Sequence, residues 1–363
     1  MIIFQRNSYM GMVALALAVT VVLLCGPSVY AAPNFYQQHN LVSDGFLPAD
    51  HTDPNLVNAW GIAFNPFGFV WVADNGTGVA TLYDGLGNPQ SLVVTIPPVP
   101  GSTDQGNPTG IVFNGSSDFV VTHNAVSGPS RFIFASENGT ISAWAPNVDA
   151  TNAILMVNNA ASGTIYKGLA LAANGNGQIL YATDFHNNRI DVFDKDFKPA
   201  TLACSFADSK IPNGFGPFGI QNITGNIYVT YAKQDPGKHD DVAGKGLGFV
   251  DVFDANGCLI RRVVTRGQLN APWGMALAPA DFGKLSNTLL IGNFGDGHIN
   301  AFDIRSGNFR GALRDNKSRP IEIDGLWGLS FGNGLLSQPT NVLFFTAGPG
   351  DEAHGLYGKI EAK

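Results

Sequence analysis

The chain has 363 residues, and its formal net charge of −7 at pH 7 argues against nucleic acid as a partner. Only 13% of the residues are charged, while 44 glycines and 21 prolines are present, a composition typical of a turn-rich all-β protein and not of a helical one. Because no linker, charge block or low-complexity stretch divides the chain, we predict one domain over residues 32–363.

The first residues are typical of a secretory signal peptide. Arg6 provides a basic start, residues 12–24 are almost wholly apolar, and Val29 and Ala31 occupy the −3 and −1 positions of a cleavage site. The apolar run is too short to span a bilayer comfortably, and no second run follows it. We therefore predict a signal peptide at residues 1–31, no transmembrane anchor after cleavage, and a secreted or periplasmic monomer.

Residues 36–43 have the composition of a strand but precede the first of six repeated units. Each unit contains short apolar strands separated by Gly, Asn and Asp turns, and successive leading glycines are 49 to 58 residues apart. The leading glycines are Gly61, Gly110, Gly168, Gly219, Gly274 and Gly328. Units of this length and content predict a six-bladed β-propeller of four-stranded blades, in which the glycines allow inner strands to approach closely.

The last unit has room for only three strands before the chain ends. We predict that residues 36–43 supply its fourth strand by pairing with residues 355–360, which closes the ring and removes an open edge.

Two cysteines, Cys204 and Cys258, remain after the predicted cleavage. Export makes a disulfide chemically possible. The pattern places Cys204 in an outer strand of blade three (residues 201–206) and Cys258 near the outer strand of blade four, where neighbouring blades diverge. Pairing stays open, and this placement favours two buried free thiols.

Four third strands end in an aromatic residue followed by an aspartate: Asp84, Asp194, Asp254 and Asp303. An aspartate in this position accepts hydrogen bonds from the backbone of a tight turn, so we assign these four a structural role.

The ends of the second strands share a face with the loops that enter each blade, and they carry polar residues. The predicted ligand-binding face consists of Asp74, Asn75, Glu137, Asp184, His186, Asp235, Asn293, Asp296, Asp351, Glu352 and His354. Loops carried on a rigid ring are common places for binding residues, although turn-forming Asn and Asp residues also have this distribution.

This face also contains oxygen ligands that a hard divalent ion accepts. We predict Asp74, Glu137, Asp184, Asn293 and Asp351 as the ligands of Ca²⁺ or another divalent metal, if one is bound. The catalytic residues are unknown, and His186, His239 and Asp240 are the candidates.

Two long loops interrupt the repeats. Residues 114–130 lie between the first and second strands of blade two, which places them on the opposite face. Residues 231–246 of blade four contain three lysines, three aspartates and a histidine. We predict that this second loop is a lid that folds over the channel mouth.

Six runs carry a family resemblance: residues 58–63, 72–78, 181–187, 228–235, 292–297 and 345–349. They resemble an uncharacterised family of exported, mostly bacterial, NHL-like propeller proteins, over nearly the whole chain from about residue 39 to 360. Some relatives end in a PEP-CTERM sorting segment, which this chain lacks, so free export is expected.

The resemblance leaves two functions open. The first is binding of a small ligand or a protein partner on the polar channel face. The second is a divalent-metal-dependent lactonase or esterase similar to the gluconolactonase and paraoxonase group, in which a metal polarises a carbonyl. No G-x-S-x-G, H-E-x-x-H or paired-cysteine metal motif is present, and only fold analogy supports the enzyme.

Overall fold

The computed structural model describes residues 1, 34–175 and 177–363. The predicted signal peptide, apart from Met1, lies outside the described residues. Within them, no helix combines the length and the apolar character needed to cross a membrane. Their short strands form six small sheets in a ring with almost no helix, which confirms the six-bladed β-propeller.

The strands run around the ring in chain order. The N-terminal part forms β1 (Tyr36–Ser43) and β2 (His51–Thr52). Blade one contains β3 (Ala59–Phe64), β4 (Val70–Asp74), β5 (Val79–Tyr83) and β6 (Val94–Thr95). Blade two contains β7 (Pro108–Phe113), the hairpin β8 (Val120–His123) and β9 (Val126–Pro129), and then β10 (Phe132–Ser136), β11 (Thr140–Trp144) and β12 (Ile154–Asn158).

The strands of blades three to six continue in chain order. Blade three contains β13 (Tyr166–Ala173), β14 (Gln178–Asp184) and β15 (Arg189–Phe193). Blade four contains β16 (Phe215–Ile223), β17 (Asn226–Lys233), β18 (Gly248–Phe253) and β19 (Leu259–Thr265). Blade five contains β20 (Pro272–Leu277), β21 (Thr288–Asn293), β22 (Ile299–Asp303) and β23 (Phe309–Ala312), and blade six contains β24 (Leu326–Phe331), β25 (Leu343–Ala347) and β26 (Leu356–Ala362).

The N-terminal strand closes the ring. Strand β1 pairs antiparallel with β26, from Tyr36 opposite Ala362 to Ser43 opposite Leu356. This confirms the predicted closure, because the outer strand of blade six comes from the opposite end of the sequence.

The leading glycines allow the inner strands of neighbouring blades to touch. A Cβ atom on Gly219 would lie 2.1 Å from the carbonyl oxygen of Trp273 in the next blade, and one on Gly274 would lie 2.3 Å from that of Trp327. Side-chain carbons do not tolerate such distances. The predicted packing role of these glycines is therefore confirmed.

The apolar core lies between blades. Six hydrophobic clusters of the described chain each join two neighbouring blades, and a seventh lies on the channel axis. The third-strand aspartates lie outside these clusters and accept hydrogen bonds from turns, as predicted, although Asp303 itself is the last residue of β22. Asp84 Oδ1, for example, accepts hydrogen bonds from the backbone N–H groups of Leu86 and Asn88, both at 2.9 Å.

Blade three differs from the predicted four-stranded plan. Its sheet contains only β13, β14 and β15, and residues 201–206 form no strand. The backbone N–H groups of Cys204 and Phe206 instead donate to the carbonyl oxygens of Asn256 and Gly257 in blade four.

This departure brings the two cysteines together. Cys204 and Cys258 form a disulfide with their Cα atoms 4.8 Å apart. The interpretation as free thiols was wrong because it assumed a regular outer strand in blade three.

Candidate functional site

Two rings of side chains meet at the polar mouth of the channel. The floor ring consists of the residues directly before the six leading glycines: Trp60, Thr109, Lys167, Phe218, Trp273 and Trp327. The rim ring consists of the residues directly after the second strand of each blade: Asn75, Glu137, Phe185, Gln234, Phe294 and Gly348. Because each position recurs once per blade, its six members lie at similar depths around the axis.

Aromatic side chains close the channel at the floor ring. Trp60 and Trp327 stack with their ring centroids 3.7 Å apart, and Phe294 also stacks on Trp327 at 4.0 Å. Trp273 meets Trp327 edge-on at 5.7 Å. Among the inner strands, the cavity has a volume of only about 30 Å³, close to the share of one water molecule, so it has no room for a larger ligand.

Asn58 joins the aromatic floor to the acidic rim. Its Oδ1 accepts hydrogen bonds from the indole N–H groups of Trp60, at 2.8 Å, and Trp327, at 3.2 Å. Its Nδ2 donates to Glu352 Oε2 at 2.7 Å. Asn58 has a left-handed backbone with φ of 46°, a conformation that asparagine tolerates better than most residues.

Lys167 is the one lysine of the floor ring, and its side chain is only 2% exposed. Its Nζ lies 2.5 Å from Glu137 Oε1, 3.4 Å from Asp240 Oδ1 and 5.0 Å from the centroid of the Trp60 ring. Burial opposes the charge, but Glu137 and Asp240 raise the pKa of Lys167 above its usual value. The side chain is therefore an ammonium at neutral pH.

The carboxylates around Lys167 influence one another. Burial raises the pKa of Glu352, and the negative charges of Glu137 and Asp240 raise it further. Burial also raises the pKa of Asp241 to about 7, with Glu352 and Asp240 adding to the rise and Lys167 opposing it. The mouth thus contains more negative charge than its one lysine neutralises.

The loop between β17 and β18 reaches the mouth, as predicted from its position in the repeat. Asp235 Oδ1 accepts hydrogen bonds from the backbone N–H groups of His239 and Asp240, at 2.8 and 3.3 Å. These bonds fold the loop back so that Asp240 contacts Lys167 and His239 Nδ1 lies 2.8 Å from Asp240 Oδ1. Whether the loop moves as a lid stays a prediction.

One group of possible metal ligands is found among the described residues. It consists of Glu137, His239 and Asp240, whose ligand atoms lie within 4.8 Å of one another. Lys167 Nζ contacts two of the three, so a divalent ion at this place would have to displace an ammonium. The donor set fits a metal only with that displacement.

The structure brings few of the predicted metal ligands together. Of the five, only Glu137 belongs to the mouth cluster, by which we mean Lys167 and the polar residues around it: Asn58, Asn75, Glu137, His239, Asp240, Asp241 and Glu352. Asp74 is fully buried within blade one, where Thr81 Oγ1 donates to it at 2.8 Å and burial raises its pKa well above the usual value. Asp184 bonds to Thr164 and Asn187, Asn293 bonds to Asp296 and the Gln268 carbonyl, and Asp351 is exposed.

Some of the other residues of the predicted ligand-binding face belong to the mouth cluster, and the rest lie elsewhere. Asn75 and Glu352 join the cluster, and Asn75 Nδ2 donates to Glu137 Oε2 at 2.9 Å. Asp235 holds its own loop, and Asp296 bonds to Asn270 and Asn293. His354 Nδ1 lies 2.7 Å from Asp44, and His186 makes no hydrogen bond to the described cluster residues. Of the catalytic candidates, His239 and Asp240 thus lie at the mouth and His186 does not.

Sequence reasoning missed Asn58 and Lys167. The signal for Lys167 was present, because a lysine occupies the position before a leading glycine that tryptophan, phenylalanine or threonine occupies in every other blade. A charged residue at one position of an otherwise uncharged ring has to find a partner on the axis.

No family model matches this chain. The uncharacterized protein R648 of Acanthamoeba polyphaga mimivirus is 36% identical over 328 residues, which cover 88% of this chain and 78% of that protein. The uncharacterized protein L690 of the same virus is 35% identical over 327 residues, which cover 88% of this chain and 84% of that protein.

Solved structures that align with this chain include two enzymes. A streptogramin B lyase aligns with a TM-score of 0.52 and 12% identity over 91% of this chain and 98% of its own. A gluconolactonase from Xanthomonas campestris aligns with a TM-score of 0.51 and 14% identity over 85% of this chain and 87% of its own. At such low identity the likeness shows the fold alone.

Proposed function

We propose, for a chain that belongs to the same family as the mimivirus proteins R648 and L690, that the channel mouth binds a small organic cation. The observation that carries this proposal is the charge at the mouth. Four carboxylates, those of Glu137, Asp240, Asp241 and Glu352, surround the single ammonium of Lys167. Burial is the main cause that raises the pKa values of Asp241 and Glu352, and a cationic ligand would favour the ionised carboxylates and offset their mutual repulsion.

The surroundings favour a small ligand over a protein partner. The loop of blade four lies against Lys167 and covers part of the mouth, while the aromatic floor closes the channel below. An amine or guanidinium carries several N–H donors, which match the carboxylate oxygens of the rim.

Calorimetric titration with 1,4-diaminobutane tests this proposal. We expect saturable binding that weakens about tenfold in Glu352→Gln, because one partly buried carboxylate is then lost. Asp351→Asn is the matched control, because Asp351 is adjacent in sequence but exposed. Equal binding by both variants, or no binding by the parent, would contradict the proposal.

A second candidate is a divalent-metal-dependent lactonase or esterase, favoured by the proximity of Glu137, His239 and Asp240. The fold is shared with a protein described as a gluconolactonase. Metal analysis of purified protein and turnover of gluconolactone with and without Ca²⁺ test it. Bound metal together with turnover that His239→Ala abolishes would favour the enzyme, and absence of both would exclude it.

Export and the NHL-like character of the family stay predictions from sequence, and we propose secretion or periplasmic release on that basis. Fractionation of an expressing bacterial culture, with mass spectrometry of the mature N-terminus, tests the predicted cleavage after residue 31.

A further inference from the structure

The outer edge of blade three is open. Strand β15 is the last strand of its sheet, and residues beyond it pair with it only at the Phe193–Pro199 bridge and through a hydrogen bond from the Ala200 N–H to the Val192 carbonyl. Backbone groups alternate in direction along a strand, so the N–H and C=O of Ile190 point outward like those of Val192. Within the described residues no backbone partner meets them.

Other blades show what fills this position. In blades one, two and four, the residue three positions before the aromatic end of the third strand pairs with the outer strand. These residues are Ala80, Ile141 and Val250. Their partners are Val94, Val157 and Val264. Ile190 stands at the same place before Phe193. A strand with a β-branched residue is therefore the geometry that this edge fits.

The segment that would fill the edge is held elsewhere. Cys204 and Phe206 hydrogen-bond to the turn of blade four, and the disulfide with Cys258 fixes that attachment covalently. The position of a fourth strand thus remains available.

A groove follows the open edge. Two adjoining cavities, of about 620 and 260 Å³, share Arg189, Ile190, Ser205 and Phe206 in their walls. The walls include the edge of β15 from Arg189 to Phe193, and an extended peptide can add to a sheet edge of this kind.

The charge of the groove is also specific. Arg189 lies 2.7 Å from Asp191 and 3.2 Å from Asp184, and Arg262 contacts both Asp208 and Asp251. Of these groups, Arg189, Asp191 and Asp208 line the two cavities, and the carboxylates of Asp184 and Asp251 are buried behind them. In and behind the groove, four carboxylates therefore accompany two guanidiniums. Asp251 Oδ2 is buried and accepts no hydrogen bond from the described residues, so one acceptor is left unsatisfied among them.

We propose that this edge of blade three accepts an extended segment of another protein as the fourth strand of the blade. The segment places a β-branched residue opposite Ile190 and carries at least one lysine or arginine, which complements the excess of carboxylates. Backbone hydrogen bonds supply affinity and the two side chains supply specificity.

A synthetic peptide of the chain's own outer strand, residues 259–265 (LIRRVVT), serves as a defined probe, because it carries both features. We expect a saturable rise in the fluorescence anisotropy of the labelled peptide on the full chain. The same peptide with Val264→Pro should bind at least about tenfold more weakly, since proline cannot donate to the ladder. Equal binding of the two peptides would overturn the proposal.

Hydrogen exchange tests the edge without any mutation of the protein. The amide of Ile190 should exchange faster than those of Ala80, Ile141 and Val250 in the free chain, and the peptide should slow its exchange by about tenfold or more. Unchanged exchange at Ile190 with the peptide bound would overturn the proposal.

Asp208→Asn should weaken peptide binding severalfold and reduce its salt dependence, whereas Asp196→Asn, at an exposed turn of the same blade, should not. Sedimentation across a range of protein concentrations tests whether a second copy of this chain occupies the edge. A dimer whose formation blocks the peptide would assign the edge to a second copy of this chain and overturn a foreign partner.

Discussion

Lys167 shows how one residue sets the chemistry of the mouth. Burying an isolated ammonium costs free energy, but the carboxylates of Glu137 and Asp240 offset that cost. The Trp60 ring also stabilises the charge through a cation–π contact. Lys167 replaces the aromatic or threonine side chain found in other blades. The floor ring is therefore polar at blades two and three and aromatic at the other four blades.

Replacing Lys167 with methionine should destabilise the protein by about 3 kcal/mol, because the carboxylate of Glu137 is left without its partner. The double variant Lys167→Met with Glu137→Gln should recover much of that loss. Urea unfolding of both variants measures the coupling. The substitution Lys195→Met, at a surface ion pair, is the control and should leave the midpoint unchanged. Additive effects of the two mouth substitutions would show that the contact contributes nothing.

The pKa of Asp241 predicts the pH dependence of stability. Burial raises this pKa to about 7 in the folded state, from an ordinary value of 3.8. The folded state therefore binds more protons between about pH 4 and 7, and the free energy of unfolding contributed by Asp241 falls as pH rises through this window. Asp241→Asn should flatten that part of the stability profile, as measured by urea unfolding at a series of pH values.

Ligand binding should show the opposite trend. An organic cation binds the ionised carboxylate, so its affinity should rise with pH up to about 7 and then level off in the parent. A parent and an Asp241→Asn variant with the same pH profile would remove Asp241 from the site.

At the scale of elements, a shift of one residue separates two misplaced predicted ligands, Asp74 and Asp184, from the predicted residues that do lie at the mouth. Asp74 and Asp184 are the last residues of β4 and β14, and each is still paired in its sheet. Asn75 and Glu137 lie one position after their strands and face the axis. Successive side chains of a strand point to opposite faces of the sheet. The direction of a polar side chain at a strand end therefore could not be predicted without knowing which residue is the last one paired.

Local signals, in contrast, were predictable. Asp84 and Asp303 accept turn N–H groups at fixed offsets, and the leading glycines recur at a fixed place in each unit. The position of Cys204 was not predictable, because segment 201–206 leaves its own blade for contacts that lie more than 50 residues away in sequence.

The contact between inner strands predicts that Gly219→Ala is strongly destabilising. The new Cβ would lie 2.1 Å from the Trp273 carbonyl, and neither strand can retreat because both are held in the ring. We expect a loss of about 3 kcal/mol or more in urea unfolding. Gly68→Ala is the matched control, because its Cβ would meet nothing closer than 3.5 Å. Similar losses in both variants would contradict the packing role.

The disulfide joins blades three and four across 54 residues of chain. Closing a loop of this length reduces the entropy of the unfolded chain, so Cys204→Ser with Cys258→Ser should lower the free energy of unfolding by about 2–4 kcal/mol. Thermal unfolding of the parent with and without reductant gives an independent measure. A reduced parent as stable as the oxidised one would show that the backbone contacts to Asn256 and Gly257 suffice.

At the scale of the whole molecule, closure makes the ring depend on its N-terminal strand. Tyr36 extends this dependence to blade five, since its hydroxyl donates to the Phe282 carbonyl at 3.0 Å and accepts from the Leu285 N–H at 2.9 Å. The repeat count and the missing strand of blade six were enough to predict the closure, whereas the contact with blade five depends on a side chain that the repeats do not specify.

Deleting residues 34–43 should therefore leave β26 with an unpaired edge and cause aggregation out of proportion to the length removed. A peptide of residues 34–44 added in trans should restore a soluble monomer, because β1 pairs with β26 through backbone hydrogen bonds that need no covalent link. Size-exclusion chromatography measures both effects. A peptide with Tyr36→Phe should rescue less well, since the Phe282 carbonyl and the Leu285 N–H then lose their partner. A soluble, monomeric deletion variant without peptide would show that the ring stays closed without this strand.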